Sequence, residues 1–175
     1  MEYIKGNIWE IKKSASLKTL GALLALFHIL QFYLWWDDGD LPLKFVKQGL
    51  PMCWSLLENC DWLQSIPIQI LSVFYYGYAI TMALAAFVLL LSDFVVLGYY
   101  LMSIGLLCGM MMYFQDLRLS SNEGYFIFFM SFAYLFIPSK HRLMRWLIVS
   151  FFAARGLSQA SPDWLSGNWY REHLQ

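Results

Sequence analysis

The sequence predicts an all-α integral membrane protein: a bundle of about five transmembrane helices, N-terminus cytoplasmic and C-terminus periplasmic or lumenal. Three observations carry this. Of 175 residues, 59% are hydrophobic and 19% aromatic while only 14% are charged, a balance outside that of ordinary soluble domains. The apolar residues gather into five runs separated by polar or proline-bearing breaks. Two clusters of lysine and arginine, one at the start of the first span and one between the last two, give the chain a direction across the bilayer. Twelve Lys and Arg are balanced by twelve Asp and Glu, and without a basic tail to neutralise phosphates nucleic-acid binding is excluded.

The elements follow in order, within a single membrane domain over residues 1–175. The opening stretch EYIKGNIWEIKKSAS is expected to form a short interfacial helix, with Ile4, Ile8 and Ile11 against lipid and the lysines toward headgroups. The first span, residues 17–36, is long enough for a hydrocarbon layer of about 30 Å. It ends in aromatics and then Asp37, Asp38 and Asp40, with no small-residue cleavage site, so it reads as a retained anchor. The outer loop, 37–65, holds Cys53 and Cys60, which an oxidising compartment would join in a disulfide; two unpaired thiols are the alternative. Trp54 and Trp62 suit the membrane interface, and the loop is expected to fold back as a lid.

The second span, 66–91, opens with Pro67 in its first turn, where a missing N–H costs nothing. Only Ser92 and Asp93 separate it from the third, 94–114, which predicts a tight helical hairpin. The fourth and fifth, 124–137 and 143–157, are shorter than a typical span and must tilt or pack against protein. Pro138 ends the fourth because it offers no N–H to the helical ladder. Lys5, Lys12 and Lys13 before the first span with Lys18 at its start, and Lys140, Arg142 and Arg145 between the last two, fall on one side with five spans, and a count of four or six would break that agreement. The positive-inside rule makes that side cytoplasmic.

Polar residues in or beside the spans are the candidates for function, since a charge at the bilayer centre costs at least about 2.5 kcal/mol. Asp116, Arg118, Asn122, Glu123 and Arg155 could line one pocket open to the outer face, with an Asp116 to Arg155 pair; ordinary headgroup positions are the alternative. His28 stands alone on an apolar helix and reads as a packing histidine more readily than as a ligand. Tyr75, Tyr76, Tyr78, Tyr99, Tyr100 and Tyr113 read as packing and interface anchors. Cys108 with Met110, Met111 and Met112 offers soft sulfur suited to Cu(I), but consecutive methionines point around a helix, so core packing is expected and no metal site. Gly105 and Gly109 form a GxxxG, which admits a close helix from this chain or a partner. Neither a phosphate-binding loop, HExxH nor nucleophile elbow is present.

Three stretches in order resemble the membrane region of the vitamin K-dependent gamma-carboxylase family and its bacterial relatives, the HTTM proteins. They are DDGDLP after the first span, LRLSSNEGYFIFFMSFAYLFIP around the fourth, and FFAARGLSQASPDWLSG at the end of the fifth. The resemblance extends over residues 17–167, most of the chain. The resemblance implies an α-helical domain of a bacterial inner membrane, with a polar turn after Gly156 framed by Asp163, Trp164 and Gly167. The carboxylases carry a lysine pair in that turn, including the base of their quinone chemistry. Here Ser158 and Gln159 stand there, and neither titrates near neutral pH. Glu123 falls near a family histidine, and the carboxylases' large soluble domain has no counterpart in these residues, so carboxylation is not expected. The expected role is a non-catalytic small subunit or accessory protein of a larger membrane complex, with room among its helices to enclose a lipid or quinone. The rival is an enzyme or carrier binding a quinone or lipid head through Asp116, Arg118, Asn122, Glu123, Arg155, Gln159, Asp163 and Trp164.

Overall fold

A computed structural model describes residues 2–48, 66–91, 94–115, 119 and 122–159. Among them there are seven α-helices and no strand: α1 (Glu2–Lys13), α2 (Ala15–Asp37), α3 (Leu41–Gln48), α4 (Ile68–Leu91), α5 (Val95–Gln115), α6 (Asn122–Phe136) and α7 (Lys140–Gln159). The contacts divide the chain into two units, Met1–Lys140 and His141–Gln175. In the first, α2, α4, α5 and α6 form a bundle. α1 packs on α2, α5 and α6, whereas α3 packs on α2, α4 and α5; the two short helices therefore close opposite ends.

α1 stops because Ser14 leaves the helical region, at φ −117° and ψ 111°, and its side chain accepts the Leu17 N–H to cap α2. This one-residue break lets α1 turn across the bundle end. The consequence corrects the sequence expectation: Ile11 is 1% exposed and faces the bundle rather than lipid, as does Asn7. Only Ile4 of the expected lipid face is open. At the other end, Gly39 and Asp40 take positive φ, 81° and 55°, turning the chain from α2 into α3. Glycine adopts that conformation without strain and aspartate tolerates it. Residues 41–48 of the expected outer loop are thus helical and close the bundle. Cys53, Trp54, Cys60 and Trp62, and with them the expected disulfide, lie outside the described residues.

α4 and α5 run antiparallel at close approach. A Cβ at Gly98 would lie 2.8 Å from Leu89, one at Gly105 2.9 Å from Met82 and Thr81, and one at Gly109 2.9 Å from the Tyr78 ring. The GxxxG therefore serves a contact inside this chain. α6 ends at Phe136 ahead of Pro138, and Ser139 at φ 58° turns the chain into α7.

Three helices, Ala15–Asp37, Ile68–Leu91 and Val95–Tyr113, are long and apolar enough to cross a membrane, and Gly124–Phe136 is a shorter apolar helix. Large apolar side chains stand outward along them: Phe27 and Leu30, Val73 and Phe87, Leu97 and Leu107, Phe129 and Phe132. An outer surface of this kind is that of a membrane protein, because in water it would be a large hydrophobic liability. In the second unit, α7 shows Trp146, Val149 and Phe152 on its surface and buries Met144.

Candidate polar core site

Polar chemistry inside the first unit converges on His28. It is 1% exposed, Ser131 and Tyr78 are each fully buried, and they come from α2, α6 and α4. The His28 Nδ1 lies 2.8 Å from the Tyr78 hydroxyl and Nε2 2.9 Å from Ser131 Oγ. A neutral imidazole donates from one nitrogen and accepts at the other, and a hydroxyl does either, so the chain is complete in both tautomers. The His28 and Tyr78 rings meet edge to face at 5.7 Å. Helices α2, α4 and α6 are thus joined at one buried point, where an unmade hydrogen bond would carry a full desolvation cost.

Toward the α3 end an aromatic tier sits over this node. Trp35 contacts Tyr78 at 6.0 Å and Tyr113 at 5.3 Å, and Tyr113 stacks on Tyr125 at 6.2 Å. Beside it Phe32 lies 4.7 Å from Tyr75. The Tyr75 hydroxyl interacts electrostatically with the Asp40 carboxylate, yet buried Tyr75 Oη and Asp40 Oδ1 complete no hydrogen bond of good geometry.

A second node lies at the α1 end. Lys140, fully buried, donates from Nζ to Asn7 Oδ1 at 3.0 Å and to the Ile137 carbonyl at 2.8 Å. Its backbone N–H donates to Glu10 Oε1 at 2.9 Å. Burial pushes the ammonium down to about 8, and the nearby Glu10 carboxylate opposes that shift. Two tyrosines fasten the same end to backbone: Tyr134 donates to the Leu17 carbonyl at 3.0 Å and Tyr99 to the Leu135 carbonyl at 3.1 Å. Tyr134 reaches Leu17 across Gly21, where a Cβ would collide with the phenol.

The residues singled out from the sequence fare differently. His28 is a bonded packing histidine, and Tyr75, Tyr78, Tyr99 and Tyr113 are buried packing residues, Tyr78 and Tyr99 with working hydroxyls. Asn122 and Glu123 open α6, and Arg155 and Gln159 lie in α7, but their side chains are outside the described residues. Asp116, Arg118, Asp163 and Trp164 lie wholly outside them. Met112 is buried while Met110 and Met111 are 37% and 41% exposed, so the three methionines do fan around α5. Among the described residues no three His, Cys, Asp or Glu side chains are grouped to hold a metal ion.

Sequence reasoning missed Ser131, Asn7 and Lys140. Ser131 had a signal, as the one serine amid the aromatic and aliphatic residues of FIFFMSFAYLF. Asn7 and Lys140 had none, since Lys140 reads as one more positive-inside cation. No protein-family model, curated protein or solved structure matches the chain.

Proposed function

We propose that the chain is a non-catalytic small subunit or accessory protein of a larger membrane complex. His28 carries this reading. This mid-helix imidazole has both nitrogens engaged by Tyr78 and Ser131, which makes it a fastener of three helices. The dimensions of α6 support a protein partner: its 15 residues extend about 22 Å at 1.5 Å per residue, short of a hydrocarbon layer of about 30 Å. Such a helix fits best where protein covers it, and Phe129 and Phe132 stand exposed on it.

The proposed topology has five spans, N-terminus cytoplasmic and C-terminus on the outer side of a bacterial inner membrane. Contacts of Lys140 with Asn7 and Glu10 support it by bringing the N-terminal helix and the turn after α6 to one end. The motif-level resemblance to HTTM proteins is the ground for proposing an abbreviated domain of that kind.

Extraction in mild detergent tests the assignment. Stoichiometric co-purification with other membrane proteins, and instability alone, are the expected results; a stable, active lone monomer would sink it. The buried Tyr75 hydroxyl beside the Asp40 carboxylate favours a second reading, a quinone or lipid head held at the α3 end. Organic extraction of the purified protein should then yield the ligand, and Asp40→Asn should reduce it. Yields unchanged by Asp40→Asn, Glu123→Gln and Arg155→Ala alike would remove that reading.

A further inference from the structure

We infer that α1 is an anionic-lipid recognition element, presenting Lys5, Trp9, Lys12 and Lys13 to phospholipid phosphates. These positions recur at the spacing of one helical face, opposite the face on which Asn7 and Ile11 are buried. Lys5, Lys12 and Lys13 are exposed and Trp9 is 59% exposed. Lys13 Nζ sits 3.7 Å from the centre of the Trp9 ring, a cation–π contact that fixes charge and indole as one surface. Glu10 does not offset this charge locally, because its carboxylate is turned to the Lys140 N–H.

Depth selects the partner. α1 is one residue from α2, whose apolar length fits the hydrocarbon core, and it lies across helix ends. The headgroup layer adds about 5–8 Å on each side of that core, and a helix is about 10 Å thick. The outward stripe therefore stands at the outer edge of the headgroup layer, within the reach of lysine side chains to the phosphates, and indole rings also concentrate in this interfacial zone. Each lysine near an anionic surface contributes about fivefold in affinity, so three together contribute on the order of a hundredfold.

The test is lipid retention by the full chain in mild detergent, titrated with phosphatidylglycerol or phosphatidylcholine and followed by native mass spectrometry. Wild type should prefer phosphatidylglycerol. The triple variant Lys5→Gln/Lys12→Gln/Lys13→Gln should lose most of that preference, at least tenfold, with phosphatidylcholine unaffected. The corresponding arginine triple should keep it. Lys44→Gln/Lys47→Gln on α3, at the opposite end and also exposed, should leave it intact. An unaltered preference in the glutamine triple, an equal loss in the α3 control, or no preference in wild type would overturn the inference. So would capture of an acidic soluble protein through these lysines with lipid retention unchanged.

Discussion

At the scale of single residues, the stability of the bundle rests on polar side chains that meet across helices. Removing the His28 imidazole leaves the Tyr78 and Ser131 hydroxyls buried, and each unsatisfied group costs roughly 1–3 kcal/mol. His28→Ala should therefore destabilise the protein well beyond Ser131→Ala. A double-mutant cycle in detergent should give a coupling of about 0.6–1.7 kcal/mol, the range of interhelical hydrogen bonds in membranes; additive effects would mean the contact contributes nothing. Lys140 gives a pH dependence. Its folded value, about 8, lies below the ordinary lysine value of about 10.4, so between them the unfolded chain binds more protons. Stability from this group should rise as pH climbs through that window and be lowest below pH about 8. Lys140→Met should flatten that rise in a series of thermal unfolding curves, and an unchanged slope would assign it elsewhere.

At the scale of elements, close approach decides which glycines matter. Gly109 faces the ring of Tyr78, itself held by His28, whereas a Cβ at Gly6 on α1 would meet nothing within 4 Å. Gly109→Ala should cost about 1–3 kcal/mol by overpacking. Gly6→Ala should be neutral or stabilising by up to about 1 kcal/mol, the helix-propensity difference. Equal melting temperatures for the two variants would contradict the α4–α5 contact. The helices themselves were legible: the expected spans 17–36, 66–91 and 94–114 match Ala15–Asp37, Ile68–Leu91 and Val95–Gln115 within two residues at each end. They were legible because an apolar run of membrane length leaves the backbone few alternatives to a helix. The inward face of α1 was not, since Ile4, Ile8 and Ile11 share a side of the wheel whichever surface covers them.

At the scale of the whole molecule, the exposed apolar side chains make a surface that needs lipid or protein against it. The proposed topology puts α1 and α3 on opposite sides of the membrane. Cysteines introduced at the exposed positions Lys12 and Lys44 should differ in sealed, right-side-out vesicles: an impermeant maleimide should label Lys44→Cys and leave Lys12→Cys unlabelled until the vesicles are opened. The reverse pattern would invert the orientation, and labelling of both would refute the opposite-side arrangement.

Sequence alone determined the membrane class, the helical segments and His28 as a packing residue, because hydropathy, proline breaks and a lone polar side chain act through local chemistry. Tertiary structure decided which partners those residues meet: His28 finds Ser131 103 positions away, and Lys140 finds Asn7 133 positions away. It also turned the lysines of α1 from a topological signal into one outward face beside Trp9. Contacts between distant segments depend on which helix faces oppose one another. That is set by the packing of glycines, rings and buried hydrogen bonds, and no local pattern of residues encodes it.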